Sequence, residues 1–179
     1  MPTEILGLPL HPLAVHIPVV LVPLFALLAI VFSCVPRVRK HCAWLLCILA
    51  VMTPLAAATA ALSGDPLALQ LLGELAEGTE IADETKAAIS THATYGGLLM
   101  WTTILLGILC LVLLFLVRRE RVALTATKDD NDNNDENPTG KPRRIGQIVV
   151  TVFIVPLSAL AMFLVYNAGH SGAEMVWGA

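Results

Sequence analysis

Four long apolar runs without a charged residue decide what this chain can fold into. They lie at about 13–35, 42–62, 93–117 and 145–168 of the 179 residues, and none holds Asp, Glu, Lys or Arg. A bilayer core about 30 Å thick is crossed by about 20 apolar residues in a helix. Because the runs are continuous rather than alternating, they predict helices and not barrel strands. The sequence therefore predicts an all-α membrane protein, one bundle of four transmembrane helices over residues 1–179.

The composition agrees with a membrane protein and excludes several other classes. Hydrophobic residues make up 56% of the chain and charged residues only 14%, whereas soluble domains carry about 25% charged residues. A nucleic-acid-binding protein, a disordered protein and an ordinary cytosolic enzyme are therefore not expected. The chain also lacks hydrolase, nucleotide-binding and zinc-protease motifs, so no enzyme class is indicated. The lipid bilayer is the first partner that the sequence predicts.

The basic residues predict how the bundle is oriented. Ten of the eleven Lys and Arg residues lie in two connections, at 37–40 and 118–144, and Lys86 is the eleventh. These connections face the same side of a four-span bundle, and the positive-inside rule places that side in the cytoplasm. We therefore expect both termini outside, in the periplasm. The cytoplasmic side then holds ten basic and six acidic residues, and the outer side one basic and eight acidic residues.

The two longer connections differ in character. At 63–91 we expect an outer helical segment, with one helix starting at Asp65-Pro66, since proline suits the first helical position. A second start is expected near Asp83, from which a helix could continue into the third span. The connection at 119–144 contains the run KDDNDNNDENPTG. Such a polar, charged stretch cannot bury a core, so we expect a disordered cytoplasmic loop.

Four of the five histidines fall at one level of the predicted bundle. His11 and His16 open the first span, His92 opens the third and His170 closes the fourth, all on the outer side. Neutral imidazole is a good ligand for iron and copper, and helix bundles often hold cofactors between facing helices. Ionisable groups at membrane depth are costly and often functional. The histidines therefore indicate a site for haem b or, alternatively, copper.

Depth along the helices suggests which histidines act as ligands. His16 is deeper than His11, so we expect it to face the bundle as a ligand of haem iron or copper, followed by His92 and His170. On an unbroken helix His11 and His16 point about 140° apart. His11 lies nearest the headgroups, where it could bind the cofactor or cap a helix. The alternative for all four is a polar group at a helix end.

Two acidic residues could orient the ligands of such a site without binding the metal themselves. Glu174 follows His170 by four residues and shares its face on a helix, so it could orient that ring. Asp65 follows the Ser63-Gly64 turn at the same level of the bundle. Its alternative role is to cap the outer helix, and this is the role that we expect.

Two segments resemble a known family. Residues 11–18 (HPLAVHIP) resemble the HPxxVHFP-type opening of a bacterial membrane protein family described only as domain of unknown function 2231. Residues 169–177 (GHSGAEMVW) resemble its closing GxxGGxLVY-type element, with Ala173 in place of the second glycine and Trp177 in place of tyrosine. The turn at 63–65 and the position of His92 at the start of the third span also fit the family layout. The resemblance implies a multi-pass protein of the bacterial cytoplasmic (inner) membrane, near respiratory or other redox chemistry.

Two functions remain open from the sequence. The first is a redox-associated subunit that holds haem b or copper with outer-side histidines and exchanges electrons with a respiratory or redox membrane partner. The alternative is a structural or assembly module of a membrane complex, without a cofactor. A proton or ion transporter is disfavoured, because no span contains a carboxylate or a basic residue.

Overall fold

The computed structural model describes residues 4–5, 8–74, 80–130 and 140–177. Four long helices follow a short N-terminal segment in which two strands pair antiparallel, Glu4 opposite Pro9 and Ile5 opposite Leu8. The elements in chain order are β1 (Glu4–Ile5), β2 (Leu8–Pro9), α1 (Leu10–Ala14), α2 (His16–Cys34), a 3-10 turn (Pro36–Val38), α3 (Arg39–Glu74), α4 (Glu80–Asp130) and α5 (Gly140–Trp177).

The structure confirms the predicted fold class of a helical membrane bundle. In the described part of the chain, four stretches are long and apolar enough to cross a bilayer, namely Leu10–Cys34, Pro36–Leu69, Asp83–Val122 and Ile145–Met175. Large apolar side chains cover the outside of these helices, among them Val20, Ile148 and Phe163, each more than half exposed. Such a surface is compatible with lipid and not with water.

The helices form a ring in the order α2, α3, α4, α5. The helix α4 packs against α5 and α3, and α2 packs against the other sides of α5 and α3. Since successive helices run in opposite directions, the bundle has two chemically different ends. We call the end that holds His11 and His92 the histidine end, and the end that holds Arg39, Glu120 and Gln147 the arginine end.

Two apolar clusters fill the interior. The larger is built around fully buried side chains from all four helices, Phe25, Phe32, Leu46, Leu106, Leu113 and Ile154. The smaller lies closer to the histidine end and consists of Val22, Leu99, Ala161, Leu164 and Val165, with Tyr95 packed against it. The interior below the histidine end is therefore mainly apolar, although Thr53, Thr103 and Ser158 are buried there as well.

A proline and a glycine bring α3 and α4 into close contact. Pro54 has no N–H, so the carbonyl of Ala50, four residues earlier, lacks its helical donor. A Cβ atom on Gly107 would lie 2.6 Å from that carbonyl oxygen and 3.2 Å from Pro54 Cγ. Only glycine fits at this crossing, and the backbone of α4 covers the freed carbonyl.

The first span is interrupted near its start, and the interruption sets where its histidines point. The short α1 ends at Ala14, and α2 begins at His16 after the single residue Val15. Pro18 cannot donate to the carbonyl of Ala14 and its ring crowds that carbonyl, which accounts for a break at this point. The helix α1 packs against α3, so His11 is carried into the bundle separately from α2.

The outer segment differs from its sequence prediction. No new helix starts at Asp65-Pro66, because α3 runs without interruption from Arg39 to Glu74 and includes Pro66. Asp65 is therefore an exposed residue inside a helix and not a cap. Residues 75–79 lie outside the described residues. The expected continuation into the third span is present, since α4 begins at Glu80 and extends through His92.

Part of the connection predicted to be disordered is helical. The helix α4 continues to Asp130 and α5 begins at Gly140. The physical reason is local, because residues 118–122 (RRERV) contain good helix formers that extend an existing helix at little cost. Residues 131–139, which hold most of the Asn- and Asp-rich run, lie outside the described residues.

Candidate functional site

Two of the four outer histidines come together, and they belong to different halves of the chain. His11 lies on α1 and His92 on α4, and both rings are half-buried. Their ring centres are 5.8 Å apart and their planes are nearly perpendicular, at 89°. The structure thus forms a histidine pair at one end of the bundle, between the N-terminal helix and the third span.

The ring of His11 is held by the end of the second span. Its Nδ1 lies 2.9 Å from the backbone oxygen of Ala60 and 3.2 Å from Ser63 Oγ. The serine hydroxyl itself donates to the same carbonyl, at 2.9 Å. A Cβ atom on Gly64 would lie 3.1 Å from the Cε1 atom of His11. Glycine therefore leaves the space that the imidazole occupies.

The ring of His92 is held in the same manner by the end of the fourth span. Its Nδ1 lies 3.2 Å from Ser171 Oγ, and the ring also interacts with the backbone of Ala168. The hydroxyl of Ser171 donates to the Ala168 carbonyl, at 3.2 Å. A Cβ atom on Gly172 would lie 3.1 Å from the Cε1 atom of His92.

These contacts decide which ring nitrogens remain available for chemistry. A carbonyl oxygen only accepts hydrogen bonds, so the Nδ1 atom of His11 carries the proton. Each serine gives its own proton to a carbonyl, which leaves Oγ as an acceptor for the histidine Nδ1–H. In a neutral ring the lone pair is then on Nε2. Within the described part of the chain, neither Nε2 atom of the pair has a hydrogen-bond partner.

His16, the ligand favoured from the sequence, does not face the bundle. Its ring is exposed, and its Nδ1 is 2.6 Å from the carbonyl oxygen of Pro12 on its own segment. The expected ranking of His16 above His11 was therefore wrong about orientation. The break at Val15 turns α1 toward α3, so the shallower histidine and not the deeper one enters the bundle. His11 is also not a helix cap, because it bonds to α3.

His170 lies on the exposed surface of α5. Its ring stacks on Tyr166 with 5.8 Å between ring centres, and its Nε2 is 3.3 Å from Glu174 Oε1. The predicted contact between His170 and Glu174 is therefore present, but both side chains are more than half exposed. Among the residues that the structure describes, no group of three or more His, Cys, Asp or Glu side chains is placed to hold a metal ion.

His11 and both Ser-Gly contacts of the histidine pair lie within the segments that resemble a known family. The family model described as "Predicted membrane protein (DUF2231)" matches residues 7–179. The chain belongs to the DUF2231 family. The match includes both histidines of the pair and all four candidate spans, so the resemblance at 11–18 and 169–177 is confirmed. No match was found among curated proteins or among solved structures.

The arginine end of this DUF2231 protein contains a polar cluster that the sequence did not predict. Arg39 donates from Nε to the Phe32 carbonyl at 2.9 Å and from one terminal nitrogen to the Ser33 carbonyl at 2.8 Å. Its other terminal nitrogen donates to Gln147 Oε1 at 2.9 Å. Gln147, which is buried, donates in turn to Glu120 Oε2 at 2.6 Å. One cluster thus connects α2, α3, α4 and α5.

The sequence carried a signal for the residues that were missed. Gln147 is a strongly polar residue inside the apolar run at 145–168, and such residues in a span usually face the bundle interior. Arg39 was used only to orient the bundle. Serine and glycine occur together at the ends of both the second and the fourth span, at 63–64 and 171–172. That repetition marks the two contacts of the histidine pair.

Proposed function

We propose that this DUF2231 protein binds a redox-active metal centre between His11 and His92 and serves as a small electron-transfer subunit of the membrane. The observation that carries the proposal is the contact of the two rings, with 5.8 Å between their centres. Metal–imidazole bonds of about 2 Å allow two rings on one ion to have centres at most about 6 Å apart. The observed separation is compatible with one shared ion.

Copper is the preferred metal, and haem b is the second choice. The rings are already in edge-to-face contact, so a bare ion requires a smaller rearrangement than a tetrapyrrole placed between them. Imidazole suits copper, and copper forms the most stable complexes among the divalent first-row metals. Two imidazoles leave coordination positions open for water or an external ligand.

The surroundings of the pair also favour metal binding. Each Nδ1 is fixed on the backbone or on a serine, and ligating histidines usually donate their other N–H in this manner, which fixes the tautomer and the ring orientation. The pair lies above an apolar cluster that contains Val22, Leu99 and Leu164. An apolar layer of this kind influences the reduction potential of a bound metal.

The location of the site follows from the charge distribution. The arginine end carries the basic connections, so the positive-inside rule places it in the cytoplasm of a bacterial cell and places the histidine pair at the outer face of the inner membrane. A redox partner in the membrane or at its outer surface would then exchange electrons with the centre. A spheroplast accessibility assay on a cysteine placed at exposed Gly169 tests this orientation.

Metal analysis of the full chain in lipid nanodiscs tests the proposed function directly. Cu²⁺ and haem are added separately, and bound metal and the visible spectrum are recorded. We expect one copper per chain. His11→Gln and His92→Gln should each lower copper affinity by more than about 100-fold, beyond the range found for residues that only support a ligand. Glutamine keeps a polar side chain of similar length.

The matched control is His16→Gln, because His16 lies five positions from His11 but faces outward. It should bind copper like the unaltered protein. A chain that takes up neither copper nor haem, or two glutamine variants with unchanged affinity, contradicts the proposal. Uptake of haem alone retains the pair as the site but changes the metal.

A further inference from the structure

The two contacts that hold the histidine pair have the same construction. Residues 60–64 and 168–172 share the pattern Ala-x-x-Ser-Gly. In each, the serine hydroxyl donates to the carbonyl of the alanine, and its Oγ lies 3.2 Å from a histidine Nδ1. In each, a Cβ atom on the glycine would lie 3.1 Å from the histidine Cε1. Two separate segments thus have the same internal serine bond and approach two separate histidines in the same two ways.

The correspondence continues along the first helix of each half. When α2 is aligned with α4 so that His11 matches His92, buried positions match buried positions through four turns of helix. The buried pairs are Pro18 and Leu99, Val22 and Thr103, Phe25 and Leu106, Ala26 and Gly107, Ala29 and Cys110, and Phe32 and Leu113.

The second helices of the two halves show the same correspondence of buried positions. When α3 is aligned with α5 so that Ser63 matches Ser171, four further pairs are buried in both helices. They are Leu46 and Ile154, Ala50 and Ser158, Thr53 and Ala161, and Ala57 and Val165. Even a side-chain bond recurs, because Thr59 and Asn167 each donate to the carbonyl four residues earlier, at 2.8 Å.

The main difference between the halves is the length of the connection. His11 and Ser63 are 52 positions apart, and His92 and Ser171 are 79 apart. The additional residues fall between the spans of α4 and α5, where α4 extends to Asp130 and α5 begins at Gly140. The extra chain therefore lies at the arginine end and leaves the histidine end unchanged.

We infer that the chain is a tandem duplication of one helical hairpin and that the histidine pair consists of two equivalent half-sites on a pseudo-twofold axis. The ring order α2, α3, α4, α5 is the order that such an axis along the bundle requires. The occupant is a single cation on the axis, to which both imidazoles donate equally. This assignment of the occupant rests on the proposed function, whereas the equivalence of the half-sites does not.

The chemistry of the half-sites explains why the occupant is a cation. The contacts at Nδ1 are satisfied when both rings carry their proton there, and each ring then offers a lone pair on Nε2. Two such lone pairs cannot hydrogen-bond to each other, and a Lewis acid on the axis satisfies both at once. Ser63 and Ser171 do not touch that ion, and they act as positioning residues that hold the two tautomers.

The arginine end differs from the histidine end, because two equivalent positions there hold different residues. The same alignment matches Arg39 with Gln147, and these two residues bond to each other across the bundle, at 2.9 Å. Two arginines at this position would repel each other, whereas arginine and glutamine form a direct hydrogen bond. The halves thus agree at the histidine end and differ at the arginine end.

The first test needs no metal. The protein is labelled with ¹⁵N-histidine, and long-range ¹⁵N–¹H spectra assign the tautomer of each ring, with glutamine variants to identify the signals. We expect His11 and His92 both to carry the proton on Nδ1. Ser63→Ala should shift the His11 signals, and Ser171→Ala should shift the His92 signals to a similar extent. Different tautomers in the two rings would overturn the equivalence.

The second test counts the imidazoles on bound Cu²⁺ by pulsed electron paramagnetic resonance. We expect two equivalent imidazoles in the unaltered protein and one in either glutamine variant. Ser63→Ala and Ser171→Ala should each lower copper affinity by about 10-fold to 100-fold, by the same factor. The matched control is Ser90→Ala, because Ser90 also donates to a carbonyl three residues earlier but is exposed and touches no histidine.

The two tests fail separately. If no copper binds while both rings have the same tautomer and respond to their own serine, the proposed function fails and the duplicated half-sites remain. If copper binds with only one imidazole, or if one serine variant alone lowers affinity, the metal site remains and its twofold construction is refuted.

Discussion

The two ends of this bundle use polar side chains in opposite ways. At the arginine end, Arg39 donates to Phe32, Ser33 and Gln147, and Gln147 continues the chain of bonds to Glu120. At the histidine end, the hydrogen bonds that the described residues make to the two rings all involve Nδ1. The first cluster joins donors and acceptors from four helices, whereas in the second no described residue hydrogen-bonds to either Nε2 atom.

The difference indicates different roles. Polar groups in a low-dielectric interior are costly unless they are paired, and a fully paired network rigidifies the structure around it. The arginine cluster is hydrogen-bonded from Phe32 to Glu120 and connects four helices, so we interpret it as structural. The histidine pair is held at Nδ1 and has no bond at Nε2 from the described residues, so we interpret it as the proposed binding site. Changes at one end should therefore alter stability, and changes at the other should alter binding.

The largest expected effect is the loss of stability on removing the arginine. Arg39→Leu leaves two carbonyls of α2 and the side chain of Gln147 without their donor, so we expect a loss of about 3 kcal/mol in unfolding free energy. Denaturant titration of the protein in detergent, followed by circular dichroism, measures this value. Arg37→Leu is the control, since Arg37 is exposed in the same basic turn. Copper affinity should not change, and a parallel loss of binding would break the division between the ends.

The next effect concerns the space above the two glycines. Gly64→Val and Gly172→Val place a branched side chain where the imidazole lies, 3.1 Å from the nearest ring atom already at Cβ. Each should displace its ring and lower copper affinity by about 30-fold, equivalent to about 2 kcal/mol. Gly97→Val is the control, because open space surrounds that position. Equal affinity in all three variants would remove the glycines from the site.

A smaller loss of unfolding free energy is expected on replacing the glutamine of the arginine cluster. Gln147→Leu removes the acceptor of Arg39 and the donor to Glu120 but keeps an apolar volume, so the loss in unfolding free energy should be about 1–2 kcal/mol. The double variant with Arg39→Leu should lose less than the sum of the two single losses, because both act in one network. Additive losses would show that the two residues stabilise the bundle independently.

The smallest effect belongs to the exposed histidine. His170→Ala removes a surface pair with Glu174 in which both side chains are more than half exposed, and such pairs contribute less than about 0.5 kcal/mol. Neither the midpoint of unfolding nor the copper affinity should change measurably. A lower copper affinity in this variant would restore the sequence prediction that His170 is a ligand.

Much of the architecture could be predicted from local sequence. Apolar runs of sufficient length determine spans because a bilayer leaves only helices with satisfied backbones. The position of each histidine along the bundle axis followed from its place in those runs. Helix limits were less predictable, since α3 continues through Pro66 and α4 continues past Val117. Extending an existing helix costs little, which accounts for the length of α4, and Pro66 lies inside α3 without ending it.

The duplication was harder to see in the sequence. Ala-x-x-Ser-Gly occurs at 60–64 and at 168–172, but most matched interior positions hold different residues, such as Pro18 against Leu99. Interior positions of a membrane bundle need only similar burial, so the pattern of burial is retained where the residue identity is not. The structure displays that pattern directly, because the matched interior positions are buried in both halves.

The sequence by itself determined that the chain is a four-span helical protein of the DUF2231 family, with histidines at one end and basic residues at the other. Only the tertiary structure decided which histidines meet. The choice depends on the rotation of a short helix, because the break at Val15 turns His11 toward α3 and leaves His16 outside. Rotation about a helix axis is fixed by packing with neighbours distant in sequence. It therefore cannot be derived from the spacing of residues along the chain.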